Sequence, residues 1–193
     1  MIAITGHANG IGKSLFEKYP GSLGFDLANG YNIDSDIERI ILESTHCNIF
    51  INNAYYYNRQ TDLLEAWYKQ HRDDKFVIVN ISSLAADQNL NIEKTLPHLK
   101  EYASHKKNLN KISFDINQSG SLCKSVIIMP GIVDTNLVTP YDKDIDQIAI
   151  DYFTKIKEAG HILETADVVN AVDIAIQSFN SRSFISSITI SNL

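Results

Sequence analysis

The sequence has few cysteines and no long hydrophobic run, and these absences exclude several classes of protein. Two of its 193 residues are cysteines, Cys47 and Cys123, which are too few for a disulfide framework and lack the spacing of a metal site. Apolar runs such as residues 76–79 are far too short to cross a bilayer. The first residues lack the basic and apolar regions of a signal peptide. We therefore expect a protein of the reducing cytoplasm that binds neither a membrane nor a metal.

Positive charge is also scarce. The 17 lysines and arginines are outnumbered by 23 aspartates and glutamates, which gives a formal net charge of −6. This balance offers no electrostatic reason to bind nucleic acid or an anionic membrane. A hydrophobic fraction of 44% is typical of a folded globular protein, and the length fits one domain over residues 1–193.

Short apolar runs alternate with amphipathic stretches along the chain, and no repeat or flexible linker interrupts the pattern. Most runs are continuous, as is typical of strands buried on both faces of a parallel sheet. The predicted strands are 2–5, 22–25, 48–52, 76–81, 125–129 and 184–190, and the predicted helices are 12–19, 35–44, 61–72, 98–117 and 164–179. This alternation predicts an α/β fold, and the units are too few for a barrel. A doubly wound, Rossmann-like parallel sheet is therefore the predicted architecture.

A glycine-rich loop follows the first predicted strand and opens the first predicted helix. Its sequence is T-G-H-A-N-G-I-G over residues 5–12. A doubly wound fold binds a nucleotide pyrophosphate at this place, because glycines let the phosphates approach backbone N–H groups at the positive end of a helix. An ordinary glycine-rich turn is the alternative. The loop therefore favours a dinucleotide site.

Asp26 closes the second predicted strand, 20 residues after Gly6. A carboxylate here can accept hydrogen bonds from the adenosine ribose hydroxyls of NAD, whereas it would repel the 2′-phosphate of NADP. The alternative is a loop aspartate that faces solvent. Asp26 therefore predicts NAD in preference to NADP.

The glycine spacing G-x-x-x-G-x-G resembles the motif of the short-chain dehydrogenase/reductase family rather than the generic G-x-G-x-x-G fingerprint. Further segments resemble motifs of that family in the same order along the chain. They are I-N-N-A at 51–54, N-I-S-S at 80–83, Y-A-S-H-K at 102–106 and P-G-I-V-D-T at 130–135. The resemblance covers residues 1 to about 135. It implies nicotinamide-dependent oxidoreductase activity on alcohol and carbonyl groups of small molecules.

The resemblance also implies which positions contact the cofactor. They are Gly6, Asn9, Gly10, Ile11, Gly12, Asp26, Leu27, Asn32, Ile33, Asn53, Ala54, Tyr102, Lys106, Pro130, Gly131, Val133 and Thr135. Two positions depart from the family pattern, because Tyr55 replaces the glycine of N-N-A-G and Asn32 replaces an aspartate that contacts adenine. NADP-dependent members often carry a basic residue where this chain has Asn9, which again favours NAD.

The same resemblance implies a mechanism that uses Ser83, Tyr102 and Lys106. Tyr102 and Lys106 stand at i, i+4 on one predicted helix face, where the ammonium can approach the phenol. A free phenol titrates near 10, and a nearby cation lowers the pKa of such a group by roughly one to three units. We expect Tyr102 to exchange the proton and Ser83 to hold the substrate oxygen, with Ser82 as the alternative to Ser83.

The chain is shortened between the N-N-A segment and the serines, since Ser82 follows Ala54 by only 28 residues. The family helix directly after N-N-A-G is therefore expected to be missing, and the family's fourth catalytic residue, an asparagine, must be found elsewhere. Asn58 is the candidate for that role. A helix-capping asparagine is the alternative interpretation.

Two stretches are expected to surround the substrate. Residues 84–97 form a longer loop than the family usually has, and residues 136–160 should form a lid. The aromatic residues of the lid either line an apolar pocket or simply pack: Tyr141, Tyr152 and Phe153. His7 and His105 lie beside motif residues and are expected to face solvent without a catalytic role.

An NAD-dependent alcohol dehydrogenase or carbonyl reductase is the predicted function. A non-catalytic NAD(H)-sensing protein of the same fold is the alternative, because the segment after Ala54 is shortened. An epimerase or dehydratase of nucleotide sugars can share Y-x-x-x-K, but the glycine spacing disfavours it. The resemblance also implies a homodimer or homotetramer that uses helices 61–72 and 98–117. Apolar residues beyond the needs of one sheet face support this: Leu63, Leu64 and Trp67.

Overall fold

The computed structural model describes residues 1–87, 97–135, 147–179, 181 and 183–191. A single six-stranded sheet runs through these residues in the order β2-β1-β3-β4-β5-β6, and every neighbouring pair is parallel. The strands are β1 Ile2–Thr5, β2 Leu23–Phe25, β3 Ile49–Asn52, β4 Val77–Ile81, β5 Lys124–Pro130 and β6 Ser187–Ile190. The helices are α1 Gly10–Lys18, α2 Ile37–Glu43, α3 Arg59–His71, α4 Pro97–Gln118, α5 Gln147–Glu158 and α6 Thr165–Phe179.

The sheet confirms the predicted doubly wound α/β architecture. From β1 the chain moves outward to β2 and then returns past β1 to form β3 on its other side. The direction of winding thus reverses between β1 and β3, and ligands of such sheets bind at the carboxyl ends of the strands at this point. The N-N-A segment ends β3, which is the third strand in chain order. A short 3₁₀ helix, Leu27–Asn29, and the seven-residue helix α2 lie between β2 and β3.

The strands are hydrophobic throughout because both faces of the sheet are covered. All five residues of β4 are buried. One face packs against α2, α3 and α4 around Phe50, Trp67 and Leu109, and the other packs against α1 and α6 around Leu15 and Val172. The continuous apolar runs of the sequence follow from this two-sided burial.

The buried stripe of α3 repeats at helical spacing and consists of Gln60, Leu63, Leu64, Trp67 and His71, together with Thr61. The Trp67 ring stacks on Phe50 with centroids 5.1 Å apart, and its Nε1–H donates to Ser44 Oγ at 3.1 Å. The buried face of α3 is therefore packed against the rest of the same chain.

This packing corrects one argument from the sequence. Leu63, Leu64 and Trp67 were expected to be apolar residues left over for a subunit interface, yet all three are 0% exposed in the monomer. They cover β3 and β4 instead, since α3 lies against these strands. The homo-oligomer stays a prediction, without support from these residues.

Several further expectations concern single features. Cys47 and Cys123 are buried free thiols, as predicted, and burial raises the pKa of Cys123 to about 12.

Helix α5 was not predicted and lies within the proposed lid. Residues 136–146, which include Tyr141, lie outside the described residues, as do residues 88–96 of the proposed loop. The Tyr152 and Phe153 side chains are likewise outside the described part. Within the described ranges, none of the helices is both long and apolar enough to cross a membrane.

Candidate active site

The three glycines of the loop at the carboxyl end of β1 occupy positions that do not accommodate a side chain. Gly6 has φ +70° and Gly10 has φ +52°, conformations that residues with a Cβ rarely adopt. A Cβ on Gly12 would stand 1.9 Å from the carbonyl oxygen of Gly6. The start of α1 therefore lies directly against the loop, and the N-terminus of a helix is a position where backbone N–H groups can bind an anion. This cradle fits the pyrophosphate of a dinucleotide.

The N-N-A segment holds the glycine loop in place. Thr5 Oγ1 accepts the backbone N–H groups of Asn53 and Ala54, each at 3.0 Å. In return, Asn53 Nδ2 donates to the carbonyl oxygens of Thr5 at 3.0 Å and Gly6 at 3.2 Å. These bonds join the carboxyl ends of β1 and β3, where the crevice between the two strands opens.

The P-G-I-V-D-T segment closes the same crevice from the far side. Gly131 N–H donates to Ile190 O at 2.8 Å, which fixes the end of β5 to β6. A Cβ on Gly10 would stand 3.0 Å from Thr135 Cβ, so Thr135 lies directly against the glycine loop. Val133, between them, pairs with Leu163 in an isolated bridge. The structure therefore brings three motif segments that are distant in sequence to one edge of the sheet.

Asp26 faces the glycine loop and not open solvent. Its Oδ2 accepts the N–H of Ala8 at 3.4 Å, and its Oδ1 accepts the N–H of Ala28 at 2.9 Å. Asn29 completes a capping box by accepting the N–H of Asp26 at 2.8 Å. One carboxylate oxygen, Oδ2, is thus oriented at the glycine loop, while Oδ1 caps the turn that follows β2. The neighbouring Leu27 is 72% exposed.

The remaining predicted adenine contacts are less well placed. Asn32 Oδ1 accepts the N–H of Asp34 at 2.9 Å, so this side chain already supports the turn before α2. Ile33 is a core residue, 7% exposed. Ile11 packs on the core under α1, whereas Asn9 is exposed. A cofactor-binding role for these four residues stays a prediction.

His7 was expected to face solvent and is instead partly buried. Its ring lies against Gly24 of β2, and a Cβ on Gly24 would stand 2.6 Å from the ring atoms. The ring also contacts Phe16, with centroids 4.7 Å apart. Its Nδ1 is buried without a hydrogen-bond partner among the described residues. His7 therefore fills the space that glycine leaves in β2.

The two adjacent serines after β4 take different positions. Ser82 is 3% exposed, and its hydroxyl donates to Asn110 Oδ1 at 2.6 Å under α4. Ser83 Oγ accepts the N–H of Ala85 at 3.2 Å, and Ser83 lies near enough to Tyr102 to lower the pKa of the phenol. Of the two, Ser83 is thus the residue that lies beside the phenol.

Lys106 is buried next to Tyr102, 3% exposed. Its Nζ donates to Gln60 Oε1 at 2.7 Å and to Ile81 O at 2.8 Å. It lies 5.5 Å from the centre of the Tyr102 ring and 5.0 Å from the centre of the Tyr55 ring. Burial lowers the pKa of Lys106 to about 7, because the ammonium loses its hydration there.

The electrostatics of Tyr102 differ from the expectation. We expected Lys106 to lower the pKa of the phenol, but burial raises the pKa of Tyr102, and hydrogen bonding with Ser83 only opposes the rise. The reason is that Lys106 Nζ is bonded to Gln60 and Ile81 and itself holds its proton weakly. Both side chains are therefore favoured in their neutral forms in this structure.

Gln60, which was not among the predicted site residues, contacts Lys106 from α3, and a catalytic role for Asn58 stays a prediction. Asn58 is exposed just before α3, and its side chain makes no capping hydrogen bond. Gln60 is 2% exposed. The available signal was its spacing, because Gln60 falls on the same helical stripe as Leu63, Leu64 and Trp67, where a polar residue must find buried partners.

Tyr55 and His105 also belong to the site. The hydroxyl of Tyr55 is hydrogen bonded to His105 Nδ1 at 3.0 Å, and its ring meets the Tyr102 ring edge-on with centroids 5.0 Å apart. The His105 side chain is only 13% exposed, which corrects the expectation that it faces solvent. Burial raises the pKa of Tyr55 to about 12. The residue that replaces the family's glycine thus packs against Tyr102.

The arrangement can be compared with solved structures. A serine dehydrogenase complexed with NADP+ superposes with a TM-score of 0.72 at 14% identity, over 99% of this chain and 94% of that chain. A short chain dehydrogenase from Burkholderia cenocepacia in complex with NADP gives 0.67 at 12% identity, over 99% and 87%. The 3-alpha-hydroxysteroid dehydrogenase from Pseudomonas sp. B-0831 complexed with NADH gives 0.65 at 16% identity, over 97% and 94%.

The fold is that of the short-chain dehydrogenases/reductases. No family model and no curated protein sequence matches the chain, so the likeness is one of structure at low identity. Within the described residues, this short-chain dehydrogenase/reductase fold has six strands, and its motif segments lie at the ends of β1, β3, β4 and β5 and on α4.

The contact between His7 and Gly24 gives a first prediction. Gly24→Ala should lower the free energy of unfolding by about 1–3 kcal/mol, because the new methyl group overlaps the His7 ring. In a His7→Ala background the same change should cost less than about 0.5 kcal/mol, since alanine fits a strand. Urea unfolding of the four proteins of this double-mutant cycle measures the coupling. Equal costs of Gly24→Ala in both backgrounds would show that His7 does not occupy this space.

Proposed function

We propose that the protein is an NAD-dependent oxidoreductase that interconverts an alcohol and a carbonyl group of a small molecule. The observation that carries the proposal is the convergence of Ser83 and Tyr102 beside the buried Lys106, on the same edge of the sheet as the glycine cradle. A phenol, a hydroxyl and an amine at the mouth of a dinucleotide crevice are the groups that proton transfer to or from a substrate oxygen requires. The NAD(P)-bound structures of the same fold support the proposal.

The residues of the crevice fit a nicotinamide dinucleotide. Gly6, Gly10 and Gly12 would leave room for the pyrophosphate, and Asp26, whose Oδ2 faces the loop at Ala8, would accept a hydrogen bond from the adenosine ribose. Thr135 lies over the glycine loop, where it can contact the bound molecule. The nicotinamide, when bound, supplies the hydride acceptor or donor that no side chain offers.

Tyr102 is suited to give a proton to a carbonyl oxygen. Because burial raises its pKa, the phenol is protonated at neutral pH and can act as a general acid. Ser83 can hold the same oxygen through its hydroxyl, a bond that strengthens as negative charge develops there. In the oxidative direction Tyr102 must first lose its proton, which a positive charge brought near it makes easier.

A second candidate, a non-catalytic NAD(H)-sensing protein, is favoured by one observation. Lys106 is bonded to Gln60 and Ile81 O and does not lower the pKa of Tyr102. The two candidates differ in turnover and agree in cofactor binding. Incubation with NADH and a panel of small ketones and aldehydes, followed at 340 nm, separates them.

Tyr102→Phe should lower turnover on any carbonyl substrate found by at least about 100-fold, because general acid–base catalysis typically contributes 10²–10⁴-fold. The affinity for NADH should change little, since the phenol hydroxyl acts in proton transfer. Steady-state kinetics and a fluorescence titration with NADH measure the two quantities. Tyr68→Phe is the matched control, because the Tyr68 hydroxyl is hydrogen bonded to Ser119 Oγ at 2.9 Å, just after the end of α4. Near-normal turnover of Tyr102→Phe would refute the assigned role.

Asp26 should make the protein prefer NADH over NADPH. Two like charges about 4 Å apart near a surface repel by roughly 4 kcal/mol before screening, and we expect about 2–3 kcal/mol, or roughly 30- to 150-fold in affinity. Asp26→Asn keeps an acceptor for the N–H of Ala28 and removes the charge, so it should reduce the preference to less than about 10-fold. Fluorescence titrations with both cofactors measure the ratio. Equal affinities in the unaltered protein would show that Asp26 does not select the cofactor.

A further inference from the structure

Gln60 is a buried polar side chain at the start of α3, and its whole carboxamide is engaged. Its Oε1 accepts the Nζ–H of Lys106 at 2.7 Å. Its Nε2 donates to Asn52 O at 2.8 Å and to Ile81 O at 3.0 Å, the last residues of β3 and β4. A flipped amide would place its oxygen against two carbonyl oxygens and its NH₂ against the ammonium. Only the present orientation of the Gln60 amide therefore satisfies all three hydrogen bonds.

We propose that Gln60 is a positioning residue for Lys106, which fixes where the Lys106 amine lies in the crevice and governs how readily it takes up a proton. The inference rests on the proposed function, in which Lys106 stands beside Tyr102 and the cofactor. Gln60 acts through Lys106 and does not itself touch the reacting atoms.

The position of Gln60 is fixed from both ends. Asn52 Nδ2 donates to the backbone carbonyl of Gln60 at 2.8 Å and to Asn80 Oδ1 at 3.0 Å. Asn80 Nδ2 continues to Ser125 Oγ at 2.9 Å. All of these residues are 0–2% exposed. The acceptor presented to Lys106 therefore cannot drift toward solvent, as a side chain on the surface would.

An amide at this place has a different effect from a carboxylate. A carboxylate 2.7 Å from Nζ would hold the ammonium as a permanent buried ion pair, whereas a neutral amide gives one hydrogen bond and leaves the charge free to change. The ionisable groups that face Lys106 are Tyr55 and Tyr102, with His105 bonded behind Tyr55. Burial favours the neutral form of both phenols. With no carboxylate beside it among the described residues, burial lowers the pKa of Lys106 to about 7.

The proposal is tested by nuclear magnetic resonance of protein with ¹³C-labelled lysine, in which the Lys106 signal is the one absent from Lys106→Met. Gln60→Glu keeps the size of the side chain and should move the Lys106 titration upward by at least about one pH unit, as an adjacent opposite charge does. Gln60→Met removes the acceptor and should move it downward. If Gln60 only filled space, the two substitutions would not shift the Lys106 titration in opposite directions.

Unfolding by urea gives a second measurement of the same effect. Between the folded value near 7 and the unfolded value near 10.4, the unfolded chain binds more protons at Lys106, so stability rises with pH through that window. The rise should begin at higher pH in Gln60→Glu and at lower pH in Gln60→Met. Gln177→Glu adds the same charge on the exposed surface of α6, across the sheet, and should leave the window unchanged.

The outcomes separate this inference from the proposed function. Opposite shifts of the Lys106 titration in the two variants support the role of Gln60, whether or not the protein oxidises NADH. Absence of NADH turnover in the unaltered protein would refute only the proposed oxidoreductase activity. Identical Lys106 titrations in the unaltered protein, Gln60→Glu and Gln60→Met would overturn the role of Gln60, even where turnover is found. If Gln60→Glu does not fold, an unchanged titration in Gln60→Met is sufficient to overturn it.

Discussion

The buried amine of Lys106 is the constraint on which the arrangement of the candidate site depends. An amine removed from water needs acceptors, and it finds them in Gln60 Oε1 and the carbonyl at the end of β4. Meeting that need places a glutamine on the apolar stripe of α3 and ties α3 and α4 to the carboxyl ends of β3 and β4. Tyr102, one turn before Lys106 on α4, is thereby held at the crevice.

The second constraint is the close approach of backbone to backbone at the glycine loop. Gly12 lies against the carbonyl of Gly6, and Asn53 and Thr5 exchange hydrogen bonds across the gap between β1 and β3. A side chain at Gly12 would overlap the carbonyl of Gly6, so an anion bound at this loop would meet backbone N–H groups at a helix start. The amine and the cradle lie on the same edge of the sheet because the strands are parallel.

The sequence predicted the sheet well and the contacts within the site less well. The six strands were predicted correctly because parallel strands buried on both faces are continuous apolar runs. Ser83, Tyr102 and Lys106 were proposed because they fall in an ordered set of family motifs, and their catalytic roles stay predictions. Gln60 was missed because its partner is 46 residues away, and nothing in a single stretch reveals such a contact. The pKa of Tyr102 was wrongly expected to fall, since burial depends on packing from several elements.

The central claim is that a nicotinamide dinucleotide binds at the glycine cradle, and calorimetric titration with NADH tests it most directly. The unaltered protein should bind about one NADH per chain. Gly12→Ala, verified as folded by circular dichroism, should bind at least about 10-fold more weakly, because its methyl group displaces the loop from α1. Absence of NADH binding by the unaltered protein, or undiminished binding by folded Gly12→Ala, would contradict the account.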